Sequence, residues 1–371
     1  MTNRRIFLIG SICAATVLPT VLSSSAIANY YAPPKPTVYT TSNATAGNQL
    51  LAFEQLKDGS LKAVATVPTG GTGTGGGLGN QGAIAVTRDR QMLLTVNAGS
   101  NEISVFRLNE PTPKLVSKVN SGGVRPVSVA VQGDIVYVVN AGSDDVTGFY
   151  LRGNKLQPMP NSRRALSATG TAPAQVSFTP DSRFVVVTEK ATNNISTFPL
   201  RNNGYLGDRI NNPSNAATPF GFAFDRKGRL LVSEAAGGAA NASSISSYRL
   251  PGSGLLQTIT AAAKTNQSAA CWVVVSKNGE YAYVSNTGSG SISGFKIEPT
   301  GQLKALTADG RTAVTGAGPI DMIFSRNGRF LSSLNTRSGT ISTFELRDGG
   351  GLTPVATLGS LPTTATGLAV R

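Results

Sequence analysis

Glu189 and Glu234 stand at a position that four sibling segments of the chain give to asparagine, at Asn97, Asn140, Asn286 and Asn335. Two carboxylates facing one channel could act as general base and general acid, or hold Ca²⁺ together with Asn and Asp oxygens, as hard oxygen ligands allow. No Asp-rich loop spacing supports calcium, so no cofactor is expected and no metal ligand is assigned. The alternative is structural: an Asn at the end of a strand satisfies the backbone groups of its own turn. Asn140 and Asn286 are kept as candidate ligand contacts. A second polar set comprises Gln175, Trp272 and Asp321, each near the start of a strand-length run. In the chemical reading Asp321 is a base or anchor, Trp272 an apolar wall for a sugar or aromatic ring, and Gln175 a ligand contact. In the structural reading Trp272 fills a tunnel and Asp321 caps a turn. Arg125 and Lys190 are the nearest cations able to hold a carboxylate or an oxyanion, and they serve equally as rim charges.

Other catalytic chemistries are excluded by composition. The count of His is 0, so no step can use imidazole, and no Gly-x-Ser-x-Gly elbow is present. Cys271 lacks a His partner, and strand alternation turns it away from the axis, so it reads as packing.

The elements that position these residues repeat. Ala172 to Leu200, APAQVSFTPDSRFVVVTEKATNNISTFPL, holds three strand-length apolar runs separated by Pro180-Asp181-Ser182 and Thr192-Asn193-Asn194. Its middle run recurs at Pro36, Gln91, Asp134, Arg229, Tyr281 and Arg329. Its third run recurs independently as Ile103-Ser104-Val105-Phe106, Ile292-Ser293-Gly294-Phe295, Ile341-Ser342-Thr343-Phe344 and their siblings. The aromatic returns every roughly 43 to 53 residues, the period of a propeller blade of about four strands. The prediction is an all-β, seven-bladed β-propeller over residues 37–371. Blade 1 lacks an innermost strand before residue 37, and Thr366–Val370 supplies one, so the ring closes by pairing the C-terminal strand with the N-terminal blade. Aligning the innermost strands puts Ala83, Ser128, Gln175, Gly221, Trp272, Asp321 and Gly367 at one level near the axis. Thr69 to Gly79, TGGTGTGGGLG, reads as a flexible loop, and 158–170 and 202–219 read as long insertions at the rim.

Residues 1–28 combine Arg4-Arg5, an apolar run from Ile6 to Leu22 and Ala26-Ile27-Ala28, which predicts an export signal, of a form similar to twin-arginine signals. Residues 29–36 form a Pro-rich lead-in. With Cys13 in the signal, only Cys271 remains and no internal disulfide can form. The expected location is therefore periplasmic or secreted, without stable membrane insertion after signal cleavage. The net charge of +14 and pI ≈ 10.0 come from cations scattered singly, which favours anionic surfaces or ligands in general and not nucleic acid.

Tyr137-Val138-Val139-Asn140, Tyr283-Val284-Ser285-Asn286 and the approach Pro180-Asp181-Ser182-Arg183-Phe184 resemble the YVTN-type repeats of the seven-bladed lactonase family, which includes 6-phosphogluconolactonases. The resemblance spans residues 37–371. It implies a propeller and, by family, hydrolysis of a small lactone or sugar-derived ester. The family's Gly-x-x-Pro-Arg-His run has its counterpart in Gly170-Thr171-Ala172-Pro173-Ala174-Gln175, where Ala174 and Gln175 replace the Arg and His. Two functions are therefore carried forward. One is a lactonase-like hydrolase using Glu189, Glu234 or Asp321. The other is a non-catalytic, monomeric propeller that binds a protein, glycan or cell-surface ligand.

Overall fold

The computed structural model describes Met1 and residues 35–108 and 112–371. The expected export signal and most of the Pro-rich lead-in lie outside the described residues. Within Lys35–Arg371 the described residues form seven antiparallel sheets of four or five strands, each a meander. Blade 4 is representative, running Pro173–Phe178, Phe184–Glu189, Asn194–Pro199 and Ile210–Pro213 from the axis outward. Ring closure is as the sequence predicts: Thr366–Val370 pairs with Thr37–Thr41, placing Val38 opposite Val370 and Tyr39 opposite Ala369. Thr40 and Thr41 each donate a hydroxyl to the Thr366 carbonyl, which ties the seam further.

Burial follows the distance of a strand from the axis. The middle strands Met92–Asn97, Phe184–Glu189 and Phe330–Asn335 are buried at every position, because neighbouring blades cover both of their faces. Continuous apolar, β-branched runs are what such a position selects. The outer strand Leu61–Pro68 is largely open to solvent and alternates accordingly. Among the described residues the helical content is two short 3₁₀ turns, Ala236–Gly238 and Asp348–Gly350, and no helix is long and apolar enough to cross a membrane.

Successive blades are joined by a recurring device. The hairpin between the third and outer strands carries a glycine that lies flat on the preceding blade. A Cβ on Gly59 would come 2.7 Å from Phe330, one on Gly254 2.4 Å from Ile210 and 3.1 Å from Phe184, and one on Gly350 2.5 Å from Tyr281. The carbonyl of that glycine accepts a hydroxyl from inside the preceding blade. Tyr137 donates to Gly204 at 2.8 Å and Tyr283 to Gly350 at 2.7 Å. Thr197 donates to Gly254 at 2.7 Å and Ser247 to Gly301 at 2.8 Å. This is the physical role of the tyrosine in both YVTN-like runs: a large apolar ring fills the space between blades, and its buried O–H finds a partner.

Two loop readings change. The run 202–219 is not one rim insertion: it contains the third-to-outer hairpin and the outer strand Ile210–Pro213. Nor is the Gly-rich run a free linker. Gly73 N–H donates to Ala44 and Gly75 N–H to Asn43, while Asn43 Nδ2 donates to the Gly76 carbonyl at 2.7 Å. Glycine is needed there for close approach rather than mobility, since a Cβ on Gly73 would sit 2.1 Å from the Asn43 carbonyl carbon.

Candidate functional site: a sealed axis

Strands alternate in direction, so the ends of the middle strands and the starts of the innermost strands share one face, the mouth. The turns between innermost and middle strands, and the third-to-outer hairpins, share the opposite face.

The Asn and Glu residues at the ends of the middle strands share one task. Each bonds a hydroxyl of the third strand, seven residues later in the chain except in blade 5, where the longer connection makes it twelve. Asn97 donates to Ser104 at 2.7 Å, Asn140 to Thr147 at 3.2 Å, Asn286 to Ser293 at 2.9 Å and Asn335 to Ser342 at 2.9 Å. With glutamate the direction reverses, and Ser196 donates to Glu189 at 2.5 Å and Ser246 to Glu234 at 2.6 Å. The serine of the repeated Ile-Ser-x-Phe run is therefore the partner of the strand-end residue. Both carboxylates are fully buried and enclosed by neutral donors. Glu189 also accepts from Ser167 N–H and Oγ, Thr192 and Asn194. Glu234 also accepts from Ser214, Ala216 N–H and Ser244. The two acids are not brought together: each is held by residues around its own blade. Among the described residues no three His, Cys, Asp or Glu side chains gather where a metal could be held.

The residues aligned near the axis bridge blades. In blades 3 to 7 the innermost strand slips register against the middle strand near its start, which frees backbone groups from the ladder. In blades 4 and 5, and at Gly367 of the closing strand, a polar side chain from the preceding blade bonds the backbone there. Ser128 Oγ accepts from Val176 N–H at 3.2 Å. The Gln175 amide donates to the Phe222 carbonyl at 3.1 Å and accepts from Phe222 N–H at 2.7 Å. Asp321 Oδ2 accepts from Gly367 N–H at 2.9 Å. Blade 5 breaks the series, because Gly221 has no side chain to offer Val273.

Gln81 fills that gap from across the ring. Its Nε2 donates to the Val273 carbonyl at 3.0 Å, and its Oε1 accepts from Val273 N–H at 3.2 Å. A Cβ on Gly221 would lie 2.0 Å from Gln81 Oε1, so the glycine is what admits the amide. The rest of Gly79–Gly82 joins the other blades. Gln81 N–H donates to Ala174 and Gly82 carbonyl accepts from Val129 N–H. Asn80 donates to Val127 and accepts from Thr366, and Lys190 Nζ donates to the Gly79 carbonyl. The Gly82 N–H points at the Asp321 carboxylate. Four residues thus touch the other six blades and seal the axis, which is why the innermost strand of blade 2 shortens to Ile84–Val86. Below the seal a channel segment of about 270 Å³ remains, lined by Gly82, Val129, Gln175 and Phe178 among others. Asn80 and Gln81 were not singled out in the sequence. Their signal is Gly221, a glycine at the level where Ser128, Gln175 and Asp321 bridge blades, with no side chain of its own to do so.

Above the seal Trp272 packs on Phe220 with ring centroids 5.0 Å apart, in an apolar cluster with Ala174 and Cys271. Trp272 is 3% exposed, and its indole N–H faces Asp321 without reaching hydrogen-bond geometry. Lys190 Nζ lies 4.8 Å from the Phe220 ring centroid. Burial, aided by the Arg125 charge, lowers the Lys190 ammonium to about 8, with Cys271 acting in the opposite sense. Burial raises the Cys271 thiol to about 11. Burial also drives Asp321 up to about 7, against the N–H groups of Gly367 and Gly82. Arg125 is exposed, at a positive φ of 55°. Gln175, Asp321 and Trp272 therefore gather around the seal with Lys190, while Asn140 and Asn286 remain inside their blades.

Residues 36–157, 151–266 and 253–365 match the model of the lactonase, seven-bladed beta-propeller family, and the chain belongs to that family. The fold is similar to that of a Bacteroides uniformis protein named as a candidate 6-phosphogluconolactonase (16% identity, 91% of this chain and 100% of that one, TM-score 0.74). It is similar to the Pseudomonas aeruginosa periplasmic gluconolactonase PpgL (16% identity, 91% and 98%, TM-score 0.72). It is also similar to a Lactobacillus plantarum protein (15% identity, 91% and 99%, TM-score 0.72). At these identities the likeness concerns the fold. Comparison with curated proteins gives no significant match.

Proposed function

We propose that this chain is an exported member of the lactonase propeller family that binds ligands through its faces instead of hydrolysing a lactone on its axis. The observation that carries this reading is the seal. Where a substrate would enter, Gln81 is hydrogen-bonded to Val273 and Trp272 is stacked on Phe220. The absence of histidine and the saturation of Glu189 and Glu234 by neutral donors point the same way. The export signal read in residues 1–28 supports a periplasmic or secreted location.

The test is a panel of lactones and sugar-derived esters headed by gluconolactone and 6-phosphogluconolactone, the substrates suggested by the names of the similar structures. No turnover above buffer is expected, with or without Ca²⁺. Turnover that disappears in Glu189→Gln or Asp321→Asn would overturn the reading.

A hydrolytic reading has one observation in its favour. Asp321 is placed to titrate near neutrality, which suits a general base. In that case its carboxylate would take a proton from water as the water oxygen attacks the lactone carbonyl, and the ring oxygen would leave as the hydroxyl of the product acid. Activity would then rise with pH through about 7.

A further inference from the structure

Two cavities open on the face opposite the mouth, at blades 4 and 7, and they share a construction. One encloses about 910 Å³ between the inner turn of blade 4 and the hairpins of blades 5 and 6. The other encloses about 860 Å³ between the inner turn of blade 7 and the hairpin of blade 1. These blades carry the two copies of the repeat in which the turn enters the middle strand as Arg-Phe, Arg183-Phe184 and Arg329-Phe330. In both, the guanidinium lies over its own phenyl ring, at 6.0 Å and 4.9 Å from the centroid. In both, the following blade presents its hairpin glycine to that ring, Gly254 and Gly59 respectively.

The lining is cationic. Arg183, Arg226, Lys227, Arg229 and Arg249 line the first groove; Arg183 pairs with Asp181 and Arg229 with the buried Asp225, each at 2.5 Å, and among the described residues no carboxylate pairs with the other three. Lys57, Arg90, Lys277 and Arg326 line the second against Glu54, which pairs with Lys35 at 2.9 Å. Arg249 and Arg326 are exposed, and their guanidinium groups have no hydrogen-bond or ion-pair partner among the described residues. Apolar side chains complete the lining, Leu250 and Phe184 in the first groove and Leu56 and Phe330 in the second. Guanidinium forks match planar oxyanions, and apolar patches between them suit the carbon faces of sugar rings.

We propose that this face binds a linear acidic polysaccharide, engaging carboxylate or sulfate groups at both grooves of one disc. Two matched grooves three blades apart suit a ligand that repeats, and engagement of both raises the apparent affinity beyond that of either. The inference deepens the binding reading by naming its face and ligand class. Lactone turnover would overturn that reading and leave the grooves standing, whereas loss of polysaccharide binding would do the reverse.

The experiment measures binding of the full chain to polygalacturonate and to dextran sulfate, with uncharged dextran alongside. Binding to one or both acidic polymers, weakening as salt is raised, is expected, and the pair of polymers separates carboxylate from sulfate as the preferred group. Arg249→Glu and Arg326→Glu should each weaken it by about tenfold, and the double variant by more than either. Arg337→Glu, an equal charge change at an exposed residue of the mouth face, should leave binding unchanged. Unaltered thermal midpoints would show that all the variants fold. Absence of binding to both acidic polymers, or equal weakening by Arg337→Glu, would overturn the proposal. So would tighter binding of DNA or of phosphatidylglycerol vesicles at the same salt.

Discussion

Replacing Gln81 by alanine tests whether the axis is sealed by a side-chain amide. The substitution removes the donor to the Val273 carbonyl and the acceptor of its N–H, at 3.0 and 3.2 Å, and leaves both backbone groups facing the axis. A buried polar group stripped of its partner costs ~1–3 kcal/mol, so the pair should cost ~2–6 kcal/mol, nearer the lower end if water enters from the channel below. Gly221→Ala approaches the same contact from the other side, because its Cβ would meet Gln81 Oε1 at 2.0 Å and the Cys271 carbonyl at 2.6 Å. Alanine at both positions removes the first clash but not the second, so the double variant should lose less than the sum of the singles. Urea unfolding gives the energies, and hydrogen exchange at the Val273 amide gives the location. If Gln81→Ala unfolds as the parent does and the Val273 amide keeps its protection, the amide does not seal the axis and the reasoning fails.

Four further outcomes follow from the same contacts. Burial raises Asp321 from its ordinary 3.8 to about 7, so the folded state holds a proton that the unfolded state has released; stability should fall as pH rises from about 4 to about 7, by up to ~4 kcal/mol. Subtracting the pH curve of Asp321→Asn isolates that loss from the hydrogen-bonded acids Asp89 and Asp181, whose lowered values act with opposite sign at more acid pH, and a flat difference curve would refute the assignment. Gly254→Ala combines a positive φ of 79° with a Cβ 2.4 Å from Ile210, whereas Gly153→Ala combines a φ of 57° with open space. Urea midpoints should place the first ~1–3 kcal/mol below the second, and equal losses would mean that hairpin contact does not join the blades. Glu189→Gln sets a carboxamide N–H₂ among donors and should cost ~1–3 kcal/mol by the same measurement, while full stability would show that its five donor groups do not depend on the charge. Removing Thr366–Arg371 opens the seam at Thr37–Thr41 and should make the whole disc sensitive to protease, a result contradicted if the truncated chain resists digestion like the parent.

Fold and ring closure were legible because each blade states its strands separately. The apolar middle run and the Ile-Ser-x-Phe run recur independently, and the unmatched strand at Thr366–Val370 has one place to go. The Gly-rich stretch was misread because composition reports the absence of side chains and not the reason for it. At Gly73 and Gly221 glycine marks backbone or amide groups drawn so close that a Cβ cannot fit, and that contact lies far away in sequence. Similarly, 202–219 looked irregular because the short outer strand Ile210–Pro213 pairs at a blade's edge, where burial imposes little pattern.

The site was harder to read because a propeller turns its polar residues inward for two reasons that look alike in sequence. A carboxylate at the end of a middle strand can face a channel or close onto a hydroxyl of the third strand, and Glu189 and Glu234 do the second. Once Ser196 and Ser246 are recognised as equivalents of Ser104, Ser293 and Ser342, the glutamates become variants of one lock, with its hydrogen bond reversed. The level of Gln175 and Asp321 follows a similar logic, since each completes the slipped backbone of the next blade. What sets Asp321 apart is the charge it would carry. Gln175 satisfies Phe222 with a neutral amide, but Asp321 meets Gly367 and Gly82 with a group that burial drives to neutrality near pH 7, beside a seal that spans the ring. Ionisation of Asp321 therefore meets the Gly79–Gly82 seal in two opposing senses: the charged carboxylate is the better acceptor for the Gly82 and Gly367 N–H groups, while burial, the larger effect, disfavours the charge in the closed axis.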